Sequence, residues 1–475
     1  MKKARQVIRS HEDFFTIHDN KYWMVARQAC FWSSIASILV CIVTASVMIG
    51  LMPRSCDPET EWWQGTVILD VSPSWTSGLA RLNLSDLISN VEKYKELGIQ
   101  AIKLSSLYRA APANSSEAWE AAGWVSCTNI SLVKTRLDLA LVPVLAEALH
   151  AQEMQLMVDL PALEPLREDG RMSLALRQSV TVAIKTWAEM GVDGISLTGL
   201  QIFARDSYMA INAQNWKVDF IKYGISPFRK ILSASYLLPE NIQENFLASS
   251  GGEGGGPGEA SREEKRHPLT GFEGIGSFDM LEANIKISQS AGESDLESVI
   301  QSVAQWDQAP SQPWINWNYQ LSLQVNQAEF AFHLLLPGTI SIQLGEQNLN
   351  VEDERLLLSR LIELRKSSVP IFMNGNFKAC HAHCDGPAEK VDNYKVHLMR
   401  NNSLVLLERT FNRRNRYMVI ANIASANSSL ESVASLYSSG EVILDTTDLD
   451  AQPRPIKFKD ADLPGWEALV IKFPK

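Results

Sequence analysis

One stretch constrains this chain before any other. From Gln28 to Pro53 it reads QACFWSSIASILVCIVTASVMIGLMP, 26 residues without a formal charge between Arg27 and Arg54. A helix rises about 1.5 Å per residue, so about 20 apolar residues cross the hydrocarbon of a bilayer. The run is long enough to span with some tilt. The competing reading is a cleaved signal peptide, whose apolar core is shorter and nearer the N-terminus. Residues 28–53 are read here as a retained transmembrane helix in contact with lipid.

Flanking charge orients it. Residues 1–27 carry Lys2, Lys3, Arg5, Arg9, Lys21 and Arg27 against Glu12, Asp13 and Asp19, a balance of +3. On the far side only Arg54 is close, followed by Asp57, Glu59 and Glu61. The positive-inside rule makes residues 1–27 a cytoplasmic tail and places the rest outside, a single-pass type II arrangement. The whole chain is −10 and the run is neutral, so the outer part is −13. That acidity, with no basic stripe beyond the N-terminus, argues against nucleic-acid binding. Asn83, Asn114, Asn129, Asn401 and Asn427 each begin an N-x-S/T sequon, as an extracellular glycoprotein would carry. Within the run, Ser33, Ser37, Cys41 and Ala45 recur every fourth residue and share one face. Small residues on one face let a second helix approach closely; ordinary composition is the alternative.

A short acidic neck, 54–61, follows and holds Cys56. Over 62–370, β-rich apolar runs alternate with helical patterns. Strands are expected at 66–71 (TVILDV), 99–105 (IQAIKLS), 154–160 (MQLMVDL), 192–198 (VDGISLT), 244–250 (ENFLASS), 278–284 (FDMLEAN), 313–317 (PWINW) and 339–344 (TISIQL). Amphipathic stretches lie between most of them, at 86–97, 137–151, 173–190, 206–222, 294–306, 325–335 and 352–366. Eight strand–helix units in about 300 residues suit a closed (β/α)8 barrel, a TIM-type α/β fold, with an open doubly wound sheet as the alternative. Beyond 371 short alternating runs (VHLMR, LVLLER, YMVIANI, EVILD, ALVIKF) predict an antiparallel, sandwich-like β domain over 371–475. The Gly-rich, then charged segment 250–271 lacks the strand–glycine–helix order of a phosphate loop and reads as a flexible surface insert.

The order of membrane helix, acidic neck, Trp-Trp, barrel and β domain resembles the heavy subunit of heteromeric amino-acid transporters. The resemblance rests on PRSC…EWWQG (53–65), GVDGISL (191–197), PGTISIQLGEQ (337–347) and ALVIKFP (468–474), and extends over about residues 20–475. It implies an α-amylase-like ectodomain and a subunit that does not itself transport. Such a subunit anchors a multi-spanning light-chain transporter through one disulfide and carries it to the plasma membrane. Cys56 stands where that family has its linking cysteine.

The rival readings are a membrane-anchored α-glucosidase-like hydrolase and a surface adhesion or receptor glycoprotein. A retaining glycosidase needs two carboxyl groups about 5 Å apart. In the amylase-like enzymes that the resemblance implies, the nucleophile is an Asp ending strand four. Here GISLT puts Ser196 at the place of that pattern's arginine and Thr198 at the nucleophile's place. The expected fifth strand ends in Ser249 and Ser250, and the stretch after strand seven, NWNYQ, has no acid. Asp159 alone matches one of the family's acids, and it reads as a loop or helix-cap residue. The expectation is a non-enzyme without cofactor or metal. Cys380 and Cys384, in ACHAHCDG, suit an intrachain disulfide, with free thiols or a metal as alternatives, because four donors within five residues hardly face one ion. Cys56 and Cys127 then remain. They could pair with each other, but the place of Cys56 on the neck favours another chain.

Overall fold

The computed structural model describes residues 21–51, 60–71, 83–105, 107, 138–162, 171–203, 206–235, 275–284, 314–320, 327–343, 352–373, 394–399, 403–411 and 414–473. Cys56, Cys127, Cys380, Cys384, Asn114, Asn129, Asn401, the insert at 250–271 and the helix expected at 294–306 lie outside these. The chain divides into two compact units, Met1–Pro58 and Glu59–Lys475.

The described part of the first unit is one helix, α1 (Lys21–Leu51). It is long and apolar enough, over Lys21–Met48, to cross a membrane. It begins seven residues ahead of the expected span and takes in Lys21 and Arg27. Polar side chains are satisfied within the helix: Ser34 Oγ donates to the Cys30 carbonyl at 2.8 Å and Thr44 Oγ1 to that of Val40 at 2.9 Å. Such back-bonding removes the cost of a bare hydroxyl in hydrocarbon. Ser33, Ser37, Cys41 and Ala45 are all exposed on this helix, and Cys30 and Cys41 are free thiols.

The second unit is built on a closed, all-parallel barrel with strands in the order β1 to β8. They are β1 (Val67–Val71), β2 (Ala101–Leu104), β3 (Gln155–Pro161), β4 (Gly194–Thr198), β5 (Ile231–Ser235), β6 (Met280–Asn284), β7 (Trp314–Gln320) and β8 (Thr339–Gln343). Seven coincide with the sequence expectation. The fifth does not: β5 is ILSAS at 231–235, directly after the helix expected at 206–222, and 244–250 lies outside the described residues. Helices α2 (Leu84–Ser89), α3 (Val91–Glu96), α4 (Val142–Ala151), α5 (Leu174–Glu189), α6 (Met209–Tyr223), α7 (Gln327–Leu334), α8 (Glu352–Ser367) and α9 (Val369–Phe372) accompany the strands. On α8 the buried residues are Leu357, Leu358, Leu361, Ile362 and Arg365, one stripe at helical spacing.

Two apolar layers follow from the period of two along each strand. Leu69, Ile102, Leu156, Ile195, Leu232, Leu281, Ile315 and Ile340 belong to the large core shared with the helices. The alternate residues Ile68, Ala101, Met157, Ile231, Met280 and Trp314 form a separate cluster inside the barrel, closed by Trp63 and Met373. Gly194 fits this inner layer because a Cβ there would stand 2.7 Å from Met157 Cγ. Gly338, at φ +97, opens β8 where a Cβ would meet the Ile315 carbonyl oxygen at 2.6 Å. The glycine of PGTISIQ is therefore a backbone requirement.

The C-terminal part is a six-stranded antiparallel sheet, in the order β14 (Arg454–Lys457), β13, β16, β11, β10, β9, with a two-stranded ribbon of β12 (Ser428–Ser429) and β15 (Asp462–Leu463). Its strands include β9 (Tyr394–Met399), β10 (Leu404–Arg409), β11 (Arg416–Asn422), β13 (Ser439–Asp445) and β16 (Ala468–Phe473), matching the alternating runs. It docks on the barrel through polar bonds as well as packing. Arg409 donates to the carbonyls of Ile371 and Met373 at 3.1 and 2.6 Å, and Ala328 N to that of Trp466 at 3.0 Å.

Two sequons fall on described residues. Asn427 is exposed, just after the bend at 424–426. Asn83 caps α2: its Oδ1 accepts from Ser85 N at 3.2 Å and its Nδ2 donates to Asp86 at 2.6 Å. Asn83→Ala should therefore cost about 1 kcal/mol of stability. Ser85→Ala, which destroys the same sequon but keeps the backbone donor, should cost much less. Thermal melts of the two variants, both unglycosylated at this site, check the cap directly.

Candidate functional site

The ends of barrel strands are where enzymes of this architecture place their chemistry, at the C-terminal face. The inner face here is apolar low in the barrel and polar above it. Asp70 on β1, Lys103 on β2, Asp159 on β3, Ser233 and Ser235 on β5, Glu282 on β6 and Asn316 on β7 follow the inner apolar residues by two or four positions, and Ser196 on β4 and Ser341 on β8 follow Gly194 and Thr339 in the same way. All are buried except Asp159, whose side chain is 15% exposed.

Lys103 is the hub. Its Nζ lies 3.0 Å from Asp70 Oδ2, 3.0 Å from Glu282 Oε2 and 3.6 Å from Asp159 Oδ1. Ser105 donates to Asp70 Oδ1. On the far side Asn316 Nδ2 donates to Ser341 Oγ at 2.8 Å, and Ser341 returns a bond to Asn316 Oδ1 at 3.1 Å. Burial opposes the charge on Lys103, yet the carboxylates of Asp159, Asp70 and Glu282 together hold its pKa well above the ordinary value. Asp159 is pushed the other way. Burial raises its pKa well above the carboxylate range, Lys103 lowers it only in part, and the charges of Glu282 and Asp70 add to the rise.

Asp159 is thus a strand residue aimed into the barrel, and the loop or cap role expected for it is wrong. Its neighbours in register are Ser196 on β4 and then Ser233 on β5. Thr198 closes β4, its Oγ1 3.4 Å from the Leu160 carbonyl that accepts from it. With β5 at 231–235, the side chains that end the fifth strand are Ser233 and Ser235, in place of Ser249 and Ser250. Asn316 and Asn318 stand on the inner face of β7. The sequence reading passed over Asp70, Lys103 and Glu282. The signal was available: each is one charged residue inside an apolar strand run, VILDV, AIKL and MLEAN.

The Asp of GVDGISL does a different job. Asp193 sits before β4, at the opposite end of the barrel from Thr198. It accepts from His150 Nε2 at 2.7 Å, Leu156 N at 3.0 Å, Lys230 Nζ at 3.1 Å and Ser226 Oγ. Burial works against its charge, but these bonds and Lys230 hold its pKa below the usual carboxylate value. It staples strand starts together. Trp62 and Trp63 work at the same end: Trp62 Nε1 donates to the Arg229 carbonyl at 2.8 Å and Arg229 stacks 5.2 Å from the Trp63 ring.

Two buried groups predict opposite pH responses. Burial brings the His333 pKa down to about 4, with only its bond to the Glu329 carbonyl resisting. A depressed base contributes stability above its unfolded pKa of about 6.5 and loses it as pH falls towards 4, a loss of roughly 3 kcal/mol. A raised Asp159 contributes stability at low pH that disappears as pH rises from the ordinary carboxylate value through its folded pKa. Denaturation midpoints taken from pH 4 to 8 should therefore lose their acid limb in His333→Asn, whose amide can replace Nδ1. Asp159→Asn should flatten the limb that falls with rising pH.

No protein-family model matches the sequence, and no curated protein matches it. Solved structures do match its shape. The trehalose-6-phosphate hydrolase of Bacillus licheniformis superposes with a TM-score of 0.57 at 12% identity, covering 88% of this chain and 100% of that one. The α-amylase of Geobacillus thermoleovorans gives 0.54 at 11%, covering 88% and 100%. The isomaltulose synthase of Klebsiella sp. LX3 gives 0.54 at 10%, covering 87% and 99%. At such identities the likeness is one of fold. The chain has an α-amylase-like fold, a closed eight-stranded barrel with a C-terminal antiparallel sheet, preceded by one apolar helix of membrane-spanning length.

Proposed function

We propose that this chain is the non-catalytic heavy subunit of a heteromeric amino-acid transporter, holding a light-chain transporter by a Cys56 disulfide and delivering it to the plasma membrane. The observation that carries this reading is the interior of the barrel. An α-amylase-like body carries serine, threonine and asparagine on the inner ends of β4, β5 and β7, and its inner acids are bonded to Lys103. A glycosidase acid must meet solvent and sugar, whereas Asp70 and Glu282 are fully enclosed. The apolar helix α1 and the sequence of the neck around Cys56 supply the remaining support. Binding only the folded partner stabilises it by mass action, and a disulfide then makes dissociation rare.

The test is a non-reducing gel of native membranes. A band that collapses to a smaller one on reduction is expected, with mass spectrometry of the lost partner returning a multi-spanning transporter. Cys56→Ser should abolish the covalent band and leave part of the association. A band unmoved by reduction counts against the tether.

A second reading has one observation in its favour. Asp159 and Glu282 both approach the same Lys103 ammonium, within 3.6 and 3.0 Å, so two carboxyl groups do stand close together as glycosidases require. Hydrolysis of α-glucosides by the purified full-length chain, lost in Asp159→Asn, would establish that enzyme instead.

A further inference from the structure

Among the described residues, carboxyl groups outnumber cations in the ion pairs inside the barrel. Three carboxylates, from β1, β3 and β6, face the single ammonium of Lys103 from β2. The inner residues of β4, β5, β7 and β8 beside them, Ser196, Ser233, Asn316 and Ser341, are neutral. An independent feature points to the same place. The hydroxyls of Ser196 and Ser233, both fully buried, have no hydrogen-bond partner among the described residues, and neither does Glu282 Oε1. Buried polar atoms are nearly always paired, and a group left over needs a physical account. Here the leftovers are adjacent. Register places Asp159, Ser196 and Ser233 side by side across β3, β4 and β5, with neighbouring strands about 4.8 Å apart. Glu282 pairs with Ser235, one inner step further along.

We propose that this row of oxygens, Asp159, Ser196 and Ser233 with Glu282 Oε1, binds one monovalent cation of the sodium class inside the barrel. The donors are a hard carboxylate and hydroxyl set, which selects a hard cation over a soft one. A divalent ion fits less well. Among the described residues no three Asp, Glu, His or Cys side chains converge on a metal-sized point, and the Lys103 ammonium 3.6 Å from Asp159 repels a doubled charge. Entry is past Asp159, the one member open to solvent. The inference does not rest on the proposed function: a transporter subunit and an enzyme would share the site.

The experiment compares melting of the purified full-length chain in detergent in sodium chloride and in choline chloride at equal ionic strength and pH 7.5. Sodium should raise the melting temperature along a saturating curve. Asp159→Asn should abolish the sodium dependence, and Ser196→Ala with Ser233→Ala should weaken it at least tenfold. Identical melting in the two salts overturns the proposal without recourse to any variant. So does a full sodium response in the variant that combines Asp159→Asn, Ser196→Ala and Ser233→Ala, or a response to calcium with none to sodium.

Discussion

Lys103→Met is expected to cost about 3–5 kcal/mol of folding stability at pH 7.5, because removing one partner of a buried ionic group strands the others. Methionine matches the length of the stem and fills the same space, so packing alone accounts for little of the loss. What remains is a pair of fully buried carboxylates, Asp70 and Glu282, together with Asp159, and no other ion pair to them among the described residues. The variant should recover part of the loss when Asp159→Asn is added, since one acid fewer then faces the site. It should also recover towards acid pH, where carboxylates protonate. Urea titration of the full-length chain in detergent reads all three. A midpoint for Lys103→Met equal to that of the wild type would show that the hub contributes nothing net. The same experiment bears on function: if the cluster is scaffold, loss of Lys103 lowers surface delivery in proportion to stability and leaves any disulfide-linked partner unchanged.

Arg365→Leu should be as damaging for a different reason. Arg365 is fully buried and faces carbonyl oxygens: Nε donates to Gly65 at 3.0 Å, Nη1 to Leu334 and Leu336 at 2.8 Å each, and Nη2 to Gly338. Those carbonyls flank the seam at which the barrel closes, where β8 pairs with β1. Each buried acceptor left bare costs about 1–3 kcal/mol, so losing four should cost about 4 kcal/mol or more. Burial lowers the Arg365 pKa to about 9, which still leaves it charged at neutral pH. Arg365→Lys should not rescue the loss, because an ammonium cannot reproduce the planar fork that reaches separated carbonyls. Denaturation midpoints of the two variants check this, and a lysine variant as stable as the wild type would refute the fork argument.

The legible parts of this chain were those in which local pattern and burial coincide. Helix α1 carries no charge from Gln28 onward, and nothing in the tertiary structure could make such a run polar. Strands such as VILDV and TISIQ are buried on both faces, so they read as continuous β-branched runs whatever lies around them. The fifth strand was misplaced because its inner positions, Ser233 and Ser235, interrupt the apolar run, while ENFLASS further on carries the stronger pattern. The polar upper lining of the barrel weakens the very signal that marks a strand.

Composition and order along the chain determined one membrane-length helix, a β/α barrel and an antiparallel sheet after it, since each follows from a period of two or 3.6 residues. Which charged residues meet was decided only by closure of the barrel. Asp70 and Glu282 are 212 positions apart in the sequence, and Lys103 is 179 from Glu282, a pairing that no local period encodes. Eight short strands wrapped into a ring bring those side chains within 3.0 Å of one ammonium, where loss of water raises the strength of every charge among them.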